Sequence, residues 1–384
     1  MKKLMHIAYL TPEYPHPKLG NSGGMGTSIK NLVTAIVAEG HQVSLFVYGQ
    51  KLDEVFSEGG VTFHIIKQKR YGYGGFFLYR KHISRYLNKY SDNIDIIEAP
   101  DWTGITAFMK LKKPLVIRFH GSDTYFCHIE GRLQKKKNAY FEKQAVKKAI
   151  GFIAPTTFAG EESMRLFNLP LSKLKVIYYG LELAQFNNDN PDDFSSKRLL
   201  NIGTLIRKKG VFQLVEMFNK IIVNHPDATL YFIGVDSNDV KTGKDSTWEL
   251  MQELMSPASK KAITYLGKIP YSQVKNEIEK AHVCVFPSLA ETLGMVTIES
   301  MALQKAVVNT SIGWAQDLIE HGKDGFMHHP DDVEAFVNTI QTLFQDPHLT
   351  QKISLNARHS VAQKFDISKL VHENIAYYKK VIAS

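Results

Sequence analysis

Apolar residues along the chain fall into two kinds of run. Short continuous stretches rich in β-branched residues recur at 5–10, 43–48, 94–98, 115–119 and 151–154, and again at 199–202, 230–233, 262–265, 283–286 and 306–309. Between them lie longer segments of helical spacing, such as 27–39, 134–150, 211–224, 272–280 and 296–303. Strands that are apolar throughout, rather than alternating, belong to parallel sheets covered by helices on both faces. Two such series predict two doubly wound α/β domains. A polar, turn-rich stretch at 186–193 separates them. The reading is a first domain at 1–182, a linker at 183–197 and a second domain at 198–366, with an amphipathic helix at about 367–384 able to pack back onto the first.

Composition agrees with this picture. A length of 384 residues suits two domains of roughly 150–200 residues each. The apolar share is 44% and the charged share 22%, which excludes a disordered or fibrous chain. No apolar run reaches the roughly 18–20 residues of a membrane span. Lys2 and Lys3 precede an apolar run, but Thr11-Pro12-Glu13 cuts it short, so it reads as a buried strand and not a leader. Cys127 and Cys284 stand far apart, with neither a disulfide framework nor zinc spacing, and the expectation is a cytoplasmic protein.

Charge adds an asymmetry. The net charge is +9, yet residues 1–185 carry 26 Lys and Arg against 15 Asp and Glu, and the remainder 21 against 23. The first half therefore suits an anionic partner: a lipid surface, a phosphorylated acceptor or nucleic acid. Arg132, Lys136, Lys143 and Lys147 share one face of the helix expected at 134–150. That face is either solvated or a peripheral contact with anionic lipid at the inner membrane face. Residues 71–77, with two tyrosines, three glycines and two phenylalanines, read as a mobile aromatic loop.

Four segments carry candidate chemistry. The first, 20–27, holds Gly20, Gly23, Gly24, Met25 and Gly26 and opens a helix after the first strand. Glycines there let backbone amides approach an anion at a helix start. The later glycine of a dinucleotide fingerprint is missing, as is the Gly-Lys-Ser/Thr of a phosphate-binding P-loop. The second, 116–123, places His120 and Asp123 just past a buried strand, where doubly wound sheets put ligands. The third, 203–210, has Arg207, Lys208 and Lys209 at a strand end, suited to a pyrophosphate leaving group. The fourth, 287–302, runs from strand to turn to helix, with Glu291 before the helix and Glu299 inside it. Carboxylates accept paired hydrogen bonds from sugar diols, and the helix start favours phosphate. Together they suit a nucleotide sugar.

On the Glu-x7-Glu element with its Pro-Ser prefix and Met-Ala suffix, the Gly-Gly loop, Phe119-His120-Gly121, Leu266–Ile269 and the stretch from Gly313 to Gly325, the chain resembles glycosyltransferase family 4 over nearly its whole length. The resemblance implies a GT-B fold, two Rossmann-like domains with the donor site in the cleft between them. It implies that Gly24 lies against donor phosphates or acceptor, that His120 contacts the transferred sugar, and that Lys209 binds the diphosphate with Arg207 or Lys208 beside it. It further implies that the backbone around Gly267 and Ile269 reads the base. Glu291, with Thr292, Leu293, Gly294 and Met295, would hold the sugar, and Glu299 the ribose diol. Gly23, Met25, Asp123 and Tyr125 are the candidate acceptor residues. Three positions depart from the family pattern: Thr204 where Arg is usual, Trp314 in place of a second Gly, and Asp317 in place of Glu.

The implied reaction is retaining transfer of a hexosyl unit from a nucleotide diphosphate sugar, UDP ahead of GDP. The acceptor is a glycan, a lipid-linked or a small molecule, in cell-surface polysaccharide or glycoconjugate synthesis. No Asp-x-Asp motif is found, so no metal and no cofactor are expected, and no nucleic acid partner. A GT-B nucleotide-sugar epimerase or phosphorylase, or a basic nucleic-acid-binding or regulatory protein, are the competing readings.

Overall fold

The computed structural model describes residues 4–20 and 22–383. The chain divides into two compact units, Met1–Glu182 with Asp366–Ser384, and Leu183–Phe365. In the first, strands β1 (His6–Thr11), β2 (Gln42–Gln50), β3 (Glu54–Glu58), β4 (Val61–Lys67), β5 (Ile96–Pro100), β6 (Leu115–Arg118), β7 (Gly151–Ala154) and β8 (Leu174–Val176) form one sheet in the order β3-β4-β2-β1-β5-β6-β7-β8. Every pairing is parallel except β3 with β4. Helices α1 (Gly24–Ala38), α2 (Gly75–Lys89), α3 (Asp123–Ile129), α4 (Lys136–Val146) and α5 (Thr157–Phe167) connect them. Alternate side chains of β1 serve opposite faces: Ile7 and Tyr9 join the core beneath α1, with Leu32, Val33 and Ile36. Ala8 and Leu10 join the core beneath α2, with Tyr79, Ile83 and Leu87. Burial on both faces is why the strand reads as uniformly apolar.

The second unit is a six-stranded parallel sheet of β9 (Arg198–Ile202), β10 (Thr229–Ile233), β11 (Ile263–Tyr265), β12 (Val283–Phe286), β13 (Ala306–Thr310) and β14 (Phe326–His328), in the order β11-β10-β9-β12-β13-β14. That is the 3-2-1-4-5-6 order of a Rossmann sheet. Its helices are α6 (Val211–Asn224), α7 (Thr247–Leu254), α8 (Pro257–Ala262), α9 (Tyr271–Glu279), α10 (Met295–Ala302), α11 (Ala315–Leu318), α12 (Val333–Gln345) and α13 (Pro347–Lys364). Asp332 and Asp346 cap α12 and α13 with side-chain oxygens, satisfying amides that have no partner within the helix.

The last helix, α14 (Ile367–Ala383), belongs to the first unit, where Leu370, Val371, Ile375, Tyr378 and Val381 enter the α1 core. A buried polar cluster fastens it. Arg118 forks onto Glu98 at 2.7 and 2.9 Å, donates to Asn374 Oδ1 at 2.6 Å, and the Tyr378 hydroxyl donates to Glu98 at 2.6 Å.

Several elements differ from the sequence expectation. Residues 75–77 are not loop but the first turn of α2. The helix expected at 134–150 is only Lys136–Val146, so Arg132 and Lys147 lie outside it, and Arg132 pairs instead with Glu130 at 2.8 Å. The hairpin β3–β4 and the short strands β8 and β14 were not foreseen.

Candidate functional site

In the second unit, strand order reverses between β9 and β12. Open α/β sheets bind ligands beyond the strand ends at such a point. β9 leads into the helical turn Arg207–Lys209, and β12 leads through residues 287–294 into α10. The two loops lock together. Leu289 N donates to the Lys208 carbonyl at 2.7 Å. Gly210 has φ +69, and a Cβ there would run into the Pro287 carbonyl, so only glycine fits. This interlock brings the Lys209 ammonium onto the Glu291 carboxylate, the two side chains 22% and 17% exposed. Lys209, Glu291, Ser288, Gly294, Thr297 and Trp314 line one pocket. Gly294, at φ +97, precedes the first turn of α10, whose amides have no intrahelical acceptor. The pocket thus offers a cation, a carboxylate and helix-start donors together, which is what a phosphorylated sugar needs.

Glu299 is 3% exposed on α10. Its partner is the Tyr271 hydroxyl, which donates to Oε1 at 2.7 Å. Burial raises the Glu299 pKa to about 6, against the lowering effect of that hydrogen bond. Tyr271 escaped the sequence reading. The available signal was its place at the start of α9, four residues after Gly267. Gly267 itself gives its carbonyl to Gly234 N at 2.9 Å, and Ile269 is partly buried.

Other expected donor residues are placed less simply. Arg207 does not lie in the pocket with Lys209. Its guanidinium forks onto Asp239 at 2.6 and 2.9 Å, holding the Asp239 carboxyl down at about 2, because that acid sits on the loop after β10. Arg207 is held by this ion pair outside the pocket that Lys209 lines. Thr204 is exposed. Thr292 and Leu293 are 8% and 1% exposed, while Met295 is partly exposed at the helix start. Trp314 is 1% exposed, so its ring forms a pocket wall. Asp317 sits on α11.

In the first unit, His120 follows β6. Its amide donates to Asp101 at 2.9 Å, and its Nδ1 meets the Tyr179 hydroxyl at 2.6 Å. Burial, with Arg118 nearby, pushes its pKa down to about 3. The lowered pKa favours the neutral ring, and in the tautomer whose Nδ1 accepts from Tyr179, Nε2 carries the proton as a hydrogen-bond donor. A neutral imidazole suits a hydrogen bond to a sugar hydroxyl.

The glycine loop also differs. Glu13 Oε1 accepts from Gly23 N at 3.0 Å and Gly26 N at 2.8 Å. The chain's own carboxylate thus fills the anion position at the start of α1. Gly24 remains exposed, with open space beside its Cα, but Met25 packs toward the core. The expected acceptor residues Asp123 and Tyr125 both lie on α3. Tyr125 is fully buried, and Asp123 accepts from Asn138 at 3.0 Å within its own unit. The α3 amides of Asp123 and Thr124 are held by the buried Glu142, each at 2.9 Å.

Two family models match consecutive parts of this chain: Glycosyltransferase Family 4 over residues 22–185 and Glycosyl transferases group 1 over residues 185–360. A glycosyltransferase of Methanocaldococcus jannaschii is 25% identical, covering 98% of each chain. The fold is shared with sucrose-phosphate synthase from Thermosynechococcus elongatus, at a TM-score of 0.80, 19% identity and 99% coverage of each chain. It is shared also with Anabaena HepE in complex with UDP, at a TM-score of 0.74, 19% identity, and coverage of 98% of this chain and 100% of that one.

Proposed function

The chain belongs to the family 4, group 1 glycosyltransferases and has their GT-B type of fold, and from that premise we propose that it transfers a hexosyl unit with retention, from a UDP-sugar and without a metal ion. The observation that carries this reading is the Lys209–Glu291 pair at the strand reversal, with Glu299 buried on the helix that follows. Lys209 and the α10 amides meet the charge that builds on the leaving diphosphate. Glu291 holds sugar hydroxyls, Glu299 and Tyr271 the ribose diol, and the backbone at Gly267 the base edge. His120 donates from Nε2 to the transferred sugar. Catalysis is then mostly positioning and electrostatics. UDP is preferred over GDP because the Anabaena neighbour binds UDP.

The acceptor is a glycan, a lipid-linked or a small molecule of cell-surface polysaccharide or glycoconjugate synthesis. Among the described residues no helix is long and apolar enough to cross a membrane. Peripheral contact with anionic lipid is part of the proposal. It is supported by Leu133 and Tyr140, 99% and 53% exposed, beside the exposed Lys135, Lys136 and Lys137. Co-sedimentation with anionic vesicles at low salt tests it, and no binding would remove it.

A thermal-shift screen of UDP- and GDP-sugars, followed by NMR of the product's anomeric configuration with and without chelator, tests the reaction. The expected result is stabilisation by a UDP-sugar and a retained anomer formed in chelator. An inverted anomer, or activity lost on chelation and restored by Mn²⁺, would overturn the mechanism.

A further inference from the structure

The first unit holds a cavity of about 600 Å³ that this reading leaves unused. It lies past the C-terminal ends of β1, β2 and β4, where a parallel sheet presents its ligands. Pro12, Tyr48, Lys69, Arg70, Phe76 and Arg80 are among its lining residues. Arg80 is 3% exposed. Three of its N–H groups go to the carbonyls of Gly104, Phe76 and Thr103, at 3.0, 3.0 and 2.6 Å. A guanidinium has five such donors. Carbonyl dipoles orient the group but do not neutralise it, and among the described residues no carboxylate pairs with it. The guanidinium lies over the Phe76 ring at 3.4 Å, and burial draws its pKa down to about 10.

Beside it, Tyr48 is 8% exposed, and its buried hydroxyl makes no hydrogen bond of ordinary length, with the Thr103 side chain interacting weakly with it. A buried hydroxyl so placed calls for an explanation. The acid whose charge reaches Tyr48 is Glu13, and one of its oxygens is already held by the amides of Gly23 and Gly26. Lys69 and Arg70 are exposed at the rim. A ligand oxygen carrying negative charge would satisfy the tyrosine hydroxyl and the spare guanidinium donors at once.

We propose that this cavity binds the acceptor through an anionic group, a phosphate or carboxylate, held by Arg80 and the Tyr48 hydroxyl with Lys69 and Arg70 at the rim. The proposal rests on the reading of the chain as a sugar transferase and names the class of acceptor. The group is either part of a soluble metabolite or the head of a lipid, and the two sources are separable by experiment.

The test is calorimetric titration of the full chain with glycerol 3-phosphate and with glycerol, together with co-sedimentation on vesicles of phosphatidylcholine with and without phosphatidic acid. Tyr48→Phe keeps the ring and removes only the hydroxyl. The pair Lys69→Ala with Arg70→Ala changes exposed side chains, so both variants should fold. Glycerol 3-phosphate, or phosphatidic acid vesicles if the source is lipid, should bind where the neutral partner does not. Each variant should weaken that binding about tenfold, as for the loss of one charge-assisted bond, with UDP affinity unchanged. Equal binding of charged and neutral probes, or variants that bind as the wild type does, would overturn the proposal. Failure of UDP itself to bind would instead strike the donor reading, and the phosphate titration would stand apart from it.

Discussion

Burial holds the Glu299 carboxyl at about 6, and the consequence runs in opposite directions for folding and for binding. The ionised form is the one that accepts hydrogen bonds from a diol. Donor affinity should therefore fall as the pH drops through about 6, and Glu299→Gln should lower affinity and flatten that profile in a UDP titration. For folding, a raised carboxyl pKa means that the unfolded chain ionises first. Stability is gained as the pH falls from 6 toward 4.5 and lost above. Glu299→Gln should then melt no lower than the wild type at pH 7–8 while its KM rises. Lys209→Ala should lower kcat by about 10²–10³-fold, the scale of losing a principal charge stabiliser, with single-turnover kinetics as the measure. If Lys209→Ala turned over at the wild-type rate, the diphosphate assignment would fail. Of these residues Lys209, Glu291 and Glu299 were named from the strand-to-helix pattern together with the family resemblance. Tyr271 was signalled only by its place four residues after Gly267, and Asp239 and Glu13 by no local pattern, because the partners of the three lie 28, 32 and at least 10 residues away.

At the level of single elements, the loops that carry the site are stiff. Gly210 is the joint between the Lys209 turn and the Pro287 loop. Gly210→Ala should destabilise the second unit by more than about 1 kcal/mol, since strain at φ > 0 adds to the clash, and weaken UDP binding in the same sample. Differential scanning calorimetry with and without UDP separates the two effects. Glu13 acts as a remote cap on α1, so Glu13→Ala should cost about 1 kcal/mol of stability, read as a lower melting temperature. The ten apolar runs all became strands, and apart from the edge strand β11 they are largely buried on both faces, which leaves an unmistakable composition. The missing elements lack that mark. β3 has a pattern of partly exposed and exposed residues at the sheet edge, and β8 and β14 are three residues each. α2 opens on Gly74 and Gly75, residues that read as a turn, and only its later residues Tyr79, Ile83 and Leu87 form a helical stripe.

Across the whole molecule, the first unit is built from two separated stretches of chain, and the second is continuous. Removing residues 366–384 would strip Tyr378 and Asn374 from the buried Glu98–Arg118 pair and open the α1 core. Breaking into such a pair is strongly destabilising. Hydrogen exchange should find β1, β2 and β5 unprotected in that truncation, with β9 and β12 still protected, and protection retained in the first unit would contradict this. The same arrangement has a consequence during synthesis. Residues 183–365 leave the ribosome as a complete set, so the second unit can fold while translation continues. The first unit, although made earlier, lacks its closing helix until α14 emerges. For that interval the apolar face beneath α1 stands open, and a chain arrested after Phe365 should recruit chaperones through residues made at the start of translation, not through those made last.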